Sequence, residues 1–563
     1  MKNIVKKIKI VNQETKTCQN CKIEFVIEPE DFDFYKKMGV PTPKLCPDCR
    51  FIRRMLWRNE RSLYTRKCDL CGNSMISTYP ELTPYTVYCW DCYHLDKWDP
   101  KIYAMEYDFS RSFFDQFGEL MKKVPKSNIY SDNLGINSEY INFAGFNKDC
   151  YLIFNSGHNE NSMYSRGIAE SRETVDGYFC NNVEKTYEGV NVNKSNGVVY
   201  GQNSTNDIDS WFMLNTSGCQ NCFGCVNVRN GSCQFFNQQL SKEEYQKRVG
   251  EVRGSYKETQ KMIEDFKRHA SLFPMRENTN IKTVDSTGNY LFECKNVRGC
   301  FESFDCEDCK YCHFLKHTKD TYDALGFGYG SELLLNTVGV GRESQRVIGS
   351  IQVSSSQNIF YCASVRTSNE CFGCEGLKNG EYSILNKQYS PEEYKKIKKH
   401  IIDELMKNGE YGLFFPPELS PFAYNETIAQ ENFPLTKEDA TNRGYGWRDE
   451  IQKTTGKETL LPENLPDQIN DVSDSVTNEI LKCVECSRNY KIIPPELSFY
   501  RKMQISVPRK CFNCRHADRV WRRGPMKLFD RACTHCGKNI KTPLSDDRAK
   551  IVYCVECYQA EVV

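Results

Sequence analysis

An eight-cysteine pattern occurs twice in this chain of 563 residues, once near each end. Each copy consists of four Cys-x2-Cys pairs, and the gaps between successive pairs are 24, 18 and 17 residues in both copies. Chance does not reproduce three spacings in this way, so the chain carries one eight-cysteine module twice, on either side of a long central region. The cysteines are Cys18, Cys21, Cys46, Cys49, Cys68, Cys71, Cys89 and Cys92, then Cys483, Cys486, Cys511, Cys514, Cys533, Cys536, Cys554 and Cys557.

This spacing predicts metal sites. The two thiolates of a Cys-x2-Cys knuckle reach one ion, and a closed tetrahedral zinc site takes four such ligands. Eight pairs in duplicated register therefore predict about four zinc ions. The alternative, a disulfide framework, requires an oxidising compartment. The start of the chain lacks the apolar run of a secretory signal, and no stretch approaches the ~18 apolar residues of a membrane span. We therefore expect a protein of the reducing cytoplasm.

Further residues accompany the first two pairs of each module. The first copy has Asp31, Phe34, Tyr35, Gly39, Pro43 and Arg50, and the second has Glu496, Phe499, Tyr500, Pro508 and Arg515, with Gln504 in place of the glycine. In this pattern the chain resembles a zinc-ribbon domain family of bacterial proteins. The resemblance implies that pairs one and two share one zinc ion and that pairs three and four share another. A cross-brace, which joins pair one to pair three and pair two to pair four, stays open.

The net charge limits the classes of partner. The formal charge is +1. Sixteen thiolates and four Zn²⁺ would change it by −8, to about −7. A chain of that charge is not a general polyanion binder, so any contact with nucleic acid would need a local basic patch.

Such a basic segment lies between the two predicted sites of each module. Residues 50–67 contain seven basic side chains and one acid, and residues 515–531 contain six and two. Basic groups interleaved with aromatics can grip phosphates and stack on bases. We favour the interpretation that these cations offset the negative charge of the neighbouring thiolates or donate hydrogen bonds to them. The remaining basic side chains then face solvent. The candidate nucleic-acid contacts are Arg50, Arg53, Arg54, Trp57, Arg58, Arg515, Arg519, Trp521, Arg522 and Arg523.

The central region predicts a repeat architecture. Short β-prone stretches separated by Asn/Gly turns recur every ten to twelve residues between about 139 and 411. Such a period favours a parallel β-solenoid over a sandwich of hairpin-paired strands. Asn203, Asn215, Asn227 and Asn237 follow gaps of 12, 12 and 10 residues and could stack as a ladder at one corner. The predicted fold is therefore mixed and mainly β: a solenoid-like repeat region with capping helices, flanked by two double zinc ribbons.

The repeat region is itself duplicated. The stretch that starts CFGC at Cys222 matches the stretch that starts CFGC at Cys371, at a constant offset of 149 residues. Both copies lead into a helix with a start signal, at Ser241 followed by Glu244 and at Ser390 followed by Glu393. We expect each helix to cover an open edge of the solenoid.

Fourteen further cysteines lie in the central region, including Cys219, Cys222, Cys225, Cys306, Cys309 and Cys312. On regular strands residues i and i+3 point to opposite faces, which argues against a shared ion. Cysteine is also a small core residue. We expect stacked core cysteines, with metal binding and catalysis as the alternatives, and we expect His313 to be a packing residue.

The remaining boundaries follow from composition and pattern. A connector at 101–138 contains a helix that we expect to begin at Ser110, with a core-facing stripe from Phe113 to Val124. A polar, acidic stretch at 451–480 is typical of a flexible linker. The predicted segments are a basic tail at 1–16, the N-terminal double ribbon at 17–100, the connector, repeat halves at 139–274 and 275–411, a Pro/aromatic arm at 412–450, the linker, and the C-terminal double ribbon at 481–563.

Three functions remain open from the sequence. The arrangement as a whole resembles an uncharacterised family of bacterial zinc-ribbon proteins, and this resemblance implies no activity. Our leading hypothesis is a non-enzymatic zinc scaffold whose two modules bind a macromolecular partner, either protein or nucleic acid. The second is an RNA- or DNA-binding protein that uses the basic segments. The third is a β-helix enzyme acting on polysaccharide, although no paired acids recur on successive repeats.

Overall fold

A computed structural model of the protein describes residues 13–131, 135–449, 451 and 454–562. The fold is mixed, with strands and helices, and groups of four cysteines lie near both ends of the chain. Most of the predicted basic tail at 1–16 lies outside the described residues. In the part of the chain that is described, none of the helices combines the length and apolar character that crossing a membrane requires.

The N-terminal module consists of two hairpins, each followed by a helix or helices. Its strands are Glu14–Thr17, Glu24–Ile27, Tyr64–Lys67, Ser74–Ser77 and Val87–Tyr88, and its helices are Pro29–Met38, Pro47–Met55 and Trp90–His94. The C-terminal module repeats this order. Its strands are Leu481–Lys482, Asn489–Tyr490, Phe529–Ala532, Asn539–Thr542 and Val552–Tyr553, and its helices are Pro494–Met503, Phe512–Arg523 and Val555–Glu561.

The first half of the central region is a parallel ladder, which we call the first ladder (residues 136–235). Paired residues are twelve positions apart, as Thr174 and Thr186 are, and as Gly201 and Met213 are. Isolated parallel bridges at the same offset continue the pattern between the strands. The strands are Ile141–Asn142, Ile153–Phe154, Arg172–Val175, Glu184–Tyr187, Val190–Asn193, Val199–Thr205 and Trp211–Ser217.

Every third residue of the first ladder, from Phe143 to Phe236, has a left-handed φ. The chain therefore turns after each three residues, and the residue that follows each turn points into the interior. Serines occupy several of these inward-pointing positions, because the interior is narrow and contains backbone N–H groups that need a hydrogen-bond acceptor. Ser165 Oγ, for example, donates to the Met163 carbonyl and accepts from the N–H of Gly177, at 2.8 Å each.

The predicted asparagine ladder forms at one of these turns. Asn203 donates to Asn215 at 3.0 Å, and Asn215 donates to Asn227 at 3.3 Å. Asn191, which sequence reasoning missed, extends the row by donating to Asn203 at 3.0 Å. Asn237 does not join it, because its side chain hydrogen-bonds the backbone of Val226 instead.

The second ladder spans residues 281–384 and is also parallel. Its offset is twelve residues, with an offset of thirteen where Leu334 pairs with Val347 and of eleven where Ile281 pairs with Phe292. Its strands are Gly288–Phe292, Cys300–Lys310, His313–Gly341, Gln345–Ile348, Gln357–Phe360, Asn369–Phe372 and Glu381–Ile384.

Each ladder ends in a short antiparallel hairpin followed by a helix. The hairpins pair Gln234–Phe235 with Gln238–Gln239 and Glu381–Ile384 with Lys387–Gln388. Ser241 and Ser390 are the N-caps, as the sequence predicts, and each accepts from the N–H of the glutamate three residues on. The helix predicted to begin at Ser241 is confirmed as Lys242–Val252. Gly254, with a φ of 82°, separates it from a second helix, Tyr256–Ala270, whereas Pro391–Asn408 is continuous.

The segments outside the ladders pack against them. The connector helix is Phe113–Lys123; its N-cap is Ser112 rather than Ser110, because Ser112 Oγ accepts from the N–H of Asp115. The prediction of a flexible linker at 451–480 is wrong where Leu465, Ile469 and Val472 are buried in a hydrophobic core. The other elements are Lys126–Ser127, Met275–Arg276, Ile428–Asn432 and Lys437–Asn442, with 3-10 turns at Pro100–Tyr103, Pro417–Leu419, Tyr424–Glu426, Pro462–Asn464, Ile469–Asp471 and Asp474–Thr477.

The two modules dock crosswise. The core that contains the N-terminal helices also contains the second ladder and the arm after residue 411, so that Phe34 stacks on Tyr322 at 3.8 Å. The core that contains the C-terminal helices contains the first ladder, where Tyr164 stacks on Phe512 at 5.6 Å. Each module therefore packs on the ladder that is more distant from it in the sequence.

Candidate metal centres and the arginine helices

The sixteen cysteines predicted as ligands lie in four groups of four. Within each group all sulfurs lie within 4.8 Å of one another. Pairs one and two form one group and pairs three and four form the other in both modules, so the cross-brace is wrong. The groups are Cys18, Cys21, Cys46 and Cys49; Cys68, Cys71, Cys89 and Cys92; Cys483, Cys486, Cys511 and Cys514; and Cys533, Cys536, Cys554 and Cys557.

All four groups have the same local construction. The first pair occupies the turn of a hairpin, as Cys18 and Cys21 do between Glu14–Thr17 and Glu24–Ile27. The second pair begins a helix, where its first cysteine is the N-cap and its second lies in the first turn, as Cys46 and Cys49 do at Pro47–Met55. A helix N-terminus presents free N–H groups and a positive dipole end, and both favour thiolates.

Backbone N–H groups also point at the first cysteine of each group. The N–H of Cys46 donates to Cys18 Sγ at 3.3 Å, and the N–H of Cys511 donates to Cys483 Sγ at 3.2 Å. Burial raises the pKa of Cys18, but these backbone donors outweigh it and lower the pKa to about 6. The same balance lowers the pKa to about 7 at Cys68 and Cys483 and to about 6 at Cys533. One thiol of each group is thereby prepared to act as a thiolate ligand.

Four thiolates in a closed group suit a soft or borderline metal ion held for structure. A catalytic zinc site keeps one position for water or substrate, whereas each of these groups offers four cysteine ligands. The groups are therefore consistent with about four structural zinc ions.

In each module, the helix that carries the second cysteine pair of the first group also carries arginines at intervals of four residues. We call Pro47–Met55 and Phe512–Arg523 the first and second arginine helices. Arg50 and Arg54 of the first lie on one face and bind the same carboxylate of the second ladder. Arg50 Nε and Arg54 Nη1 donate to Asp323 at 2.9 and 3.0 Å, and all three side chains are at most 2% exposed.

The second arginine helix binds the first ladder in the same way. Arg515 Nε donates to Asp176 Oδ2 at 2.8 Å, and Arg519 Nη1 lies 2.8 Å from Asp176 Oδ1. Asp176 and Asp323 both have a φ of 57° and are fully buried. Arg519 also donates to Glu188 at 2.7 Å, where Arg54 instead donates to Asn336 at 2.9 Å. We call these two arrangements the Arg–Asp locks.

The locks overturn both sequence-based interpretations of the basic segments. Of the ten candidate nucleic-acid contacts, Arg50, Arg54, Trp57, Arg58, Arg515, Arg519 and Arg523 are buried. Arg53 and Arg522 are half-buried and donate to protein oxygens, and only Trp521 is exposed, with Arg548 stacked on its ring. Among the described residues, none of these arginines hydrogen-bonds a cysteine sulfur, and their burial leaves no exposed arginine cluster to bind phosphates. They join each module to a ladder.

A further buried network joins the chain just after the first arginine helix to the end of the second arginine helix. Arg58 donates to Glu60, and Arg166 donates to Glu60 at 2.7 Å. Arg166 and Arg523 in turn lie 3.5 and 3.7 Å from Glu302 of the second ladder. Charges buried to this extent require partners, and removal of one partner is costly.

Sequence reasoning missed Asp176 and Asp323, although signals for them were present. Arginines at 50, 54 and 58 and at 515, 519 and 523 follow the spacing of one helix face. The aspartates are 147 residues apart, close to the offset of the duplicated repeat. The repeated arginine spacing and the repeated aspartate could have suggested an ion pair between them. The number of basic residues in each segment, considered alone, instead favoured a solvent-exposed face.

The central cysteines line the interiors of the ladders. Cys219, Cys222 and Cys225 are each at most 1% exposed, and thiols such as Cys219 Sγ donate to backbone carbonyls. The expectation of core cysteines is confirmed, but our reason for it was wrong. Since the chain turns after every third residue, residues i and i+3 both point inward. Cys233 is the exception, because it lies half-exposed at the last turn of the first ladder.

His313 is a packing residue, as expected. Its ring lies between Phe51 at 3.6 Å and Phe301 at 5.5 Å, in parallel stacking with both. Burial lowers its pKa well below the ordinary range, and the neighbouring Arg54 and Arg523 act in the same direction. The imidazole is therefore neutral at physiological pH.

Comparison with known proteins adds no family to this description. No protein-family model matches the sequence, and a search of curated proteins found no match. The resemblance to bacterial zinc-ribbon proteins therefore stays a prediction. The class of site rests on the geometry of the cysteines.

Proposed function

We propose that the protein is a non-enzymatic, zinc-dependent scaffold of the cytoplasm, related to the bacterial zinc-ribbon proteins. In it, four zinc ions shape the two modules, and a central β-solenoid holds them in fixed positions for a macromolecular partner. The observation that carries this proposal is that the same helix connects a cysteine group to the central ladders. The helix that supplies two cysteines of a group is the same helix that supplies the arginines of a lock.

Three features support a solenoid as the body. Parallel pairing at an offset of twelve residues, left-handed turns at every third residue and inward-pointing side chains after each turn together describe a coil with four corners. The crosswise docking supports a rigid assembly, because both modules are fixed to this body by buried ion pairs. The fourteen central thiols support a reducing compartment, in which they stay free.

The knuckle turns support a protein partner. Leu70 and Val484 stand between the two cysteines of a knuckle and are 45% and 50% exposed, and Ile23 beside Cys21 is 65% exposed. Apolar side chains on rigid exposed turns are suited to fill pockets of another protein. Nine of the ten candidate nucleic-acid contacts are buried or half-buried within the protein, so we do not retain that second hypothesis.

Metal analysis tests the zinc part of this proposal. Purified protein should contain about four zinc ions per chain, and two or fewer would contradict it. Chelation should unfold the modules, because a structural Zn²⁺ contributes roughly 10–16 kcal/mol of apparent folding free energy. The β-signal of the ladders should largely persist. The matched control is a Cys371→Ser/Cys374→Ser variant of the second ladder, which should retain the full zinc content.

Capture from a native extract tests the partner. A triple variant Ile23→Lys, Leu70→Lys and Val484→Lys should lose specifically bound protein while keeping its zinc. The control carries lysines at Ile102, Leu272 and Val284, which are exposed apolar residues outside the knuckles. Equal loss in both variants would contradict a role of the knuckles, and specific capture of nucleic acid would contradict the choice of partner.

A further inference from the structure

Each arginine helix has a second face, opposite the face that forms the lock. With 3.6 residues per turn, a residue two positions after a lock arginine points to the other side of the helix. On the first arginine helix and just after it, Ile52 and Leu56 hold these positions. The cysteines of the two modules are 465 residues apart, and at the same offset Ala517 and Trp521 hold the positions on the second helix. We call this second face the outer face.

The arm covers the outer face of the first arginine helix. Both side chains of that face are at most 7% exposed, and they share a hydrophobic core with Phe415 of the arm. The ring of Phe415 stacks on Trp57 with centroids 4.7 Å apart, and its carbonyl accepts from Arg53 Nε at 2.6 Å. This part of the arm, residues 413–419, has the sequence LFFPPEL. A segment with prolines and aromatic residues therefore binds the first outer face within the chain.

The outer face of the second arginine helix is open to solvent. Ala517 is exposed, and Trp521 is 63% exposed. Arg548 lies over one side of the indole ring, with its guanidinium carbon 4.6 Å from the ring centroid. Tryptophan is enriched where proteins bind one another, because a large ring gains much from burial. A tryptophan at a position that the duplicate helix buries under the arm marks this face as a docking surface.

The charged residue on this face has the opposite sign in the two helices. Arg53 of the first helix corresponds to Asp518 of the second. Burial lowers the pKa of Arg53, and the arm supplies acids, Glu418 among them, that act in the opposite direction. The Asp518 side chain is 51% exposed and pairs with Lys510 at 3.0 Å. Exposed pairs of this kind contribute little to stability, so a basic group of a ligand can replace Lys510.

We propose that the outer face of the second arginine helix binds an extended segment of another protein that carries prolines and a basic side chain. The prolines pack on Trp521, because proline-rich segments are preformed in an extended conformation and dock on exposed aromatic rings. The basic side chain pairs with Asp518, one helical turn away. The arm provides the precedent for the prolines, and the exchange of Arg53 for Asp518 reverses the charge that the ligand must carry.

Titration calorimetry of the full-length, zinc-loaded protein with two peptides tests this proposal. LFFPPEL is the sequence of the arm, and LFFPPRL carries the Glu418→Arg change. LFFPPRL should bind at one site per chain. LFFPPEL should bind at least about tenfold more weakly, because its carboxylate meets Asp518. Equal binding of the two peptides, or no binding of LFFPPRL, would overturn the proposal.

Two variants locate the site. Trp521→Ala should weaken the binding of LFFPPRL at least about tenfold, and Asp518→Arg should reverse the preference between the peptides. Both side chains are exposed, so both variants should fold and keep their zinc. Phe109→Ala is the matched control, because this ring is 53% exposed on the connector and its loss should leave binding unchanged.

Peptide binding that survives in the Trp521→Ala variant would contradict the assignment, since the peptide would then occupy another place, such as the outer face of the first helix. Neither Trp521 nor Asp518 belongs to a knuckle turn. The result is therefore separate from that of the triple-lysine variant, which tests the proposed function.

Discussion

The two Arg–Asp locks share one geometry but differ in their charge balance. In both, two arginines one helical turn apart grip a single buried aspartate at a left-handed turn of a ladder. The C-terminal lock adds Glu188 as a second carboxylate, whereas the N-terminal lock has the neutral Asn336 at that place. The contact of two arginines with one aspartate is therefore common to both modules, whereas the second partner of the central arginine differs.

The difference is visible in the two central arginines. Burial lowers the pKa of Arg54, and the carboxylate of Asp323 does not offset it. Burial acts in the same direction on Arg519, but Asp176 and Glu188 together outweigh it and raise the pKa. Two guanidinium nitrogens of Arg54, Nε and Nη2, have no acceptor among the described residues, against one of Arg519. The N-terminal lock is thus short of negative charge.

Loss of the shared aspartate should produce the largest effect. Asp176→Asn and Asp323→Asn each leave two buried guanidinium groups without their common carboxylate, and breaking a buried pair in this way costs about 3–5 kcal/mol. Asparagine tolerates the left-handed turn, so the change tests charge and not backbone strain. Hydrogen exchange of the docked module would measure the loss.

The control for these variants is Asp305→Asn. Asp305 also has a left-handed φ, but it is exposed and pairs with His317 at the surface. Its loss should cost less than about 1 kcal/mol. If all three variants lose equal stability, the locks are not the main docking contact.

Exchange of the second partner should produce a smaller and opposite pair of effects. Glu188→Gln removes one carboxylate from Arg519 and should cost about 1.5–3 kcal/mol, the range for hydrogen bonds to charged groups. Asn336→Asp supplies a carboxylate to Arg54 but loses the 2.7 Å hydrogen bond from Asn336 Nδ2 to the Gly412 carbonyl, so the free energy of unfolding should rise by at most about 1 kcal/mol. Urea unfolding followed by hydrogen exchange measures both. A large destabilisation by Asn336→Asp would show that the N-terminal lock is not short of negative charge.

The smallest expected effect concerns the difference in stability between the two ladders. Asn203→Gly keeps the left-handed turn but removes two bonds of the asparagine row, which should destabilise the first ladder by about 1–2 kcal/mol. Gln352 holds the corresponding place in the second ladder and has one such bond, from Ser364 at 2.8 Å. Gln352→Gly should therefore cost less, as judged by thermal unfolding. A greater loss from Gln352→Gly would contradict the importance of the row.

Much of this architecture could be predicted from the sequence because it repeats. The spacing of the cysteines specified the ligands, since each group forms from local knuckles and helix starts. The period of ten to twelve residues and the row from Asn203 to Asn227 indicated the ladders. The N-caps Ser241 and Ser390 followed from short-range chemistry.

The crosswise docking could not be predicted, because it depends on contacts between distant segments. Arg54 and Asp323 are 269 residues apart. The sequence around either residue does not predict a contact with the other. The same reason explains the wrong prediction of a flexible linker: Ile469 is apolar in a polar stretch, and the core that buries it is built from the first ladder, the helices after it and the C-terminal module together. The three-residue spacing of the inward-pointing side chains was not recognised in the sequence. Ordinary strands alternate their side chains every second residue, whereas these ladders turn after every third residue.

Hydrogen exchange after selective loss of one metal site tests the central claim, that each module is docked on the ladder more distant in sequence. Cys46→Ser/Cys49→Ser removes half of the first group, and Cys511→Ser/Cys514→Ser removes half of the third. The account predicts that the first variant loses protection in the second ladder around His313–Gly341 while Glu184–Tyr187 stays protected, and that the second variant gives the reverse. Loss of protection in the neighbouring ladder instead, or in neither ladder, would contradict it.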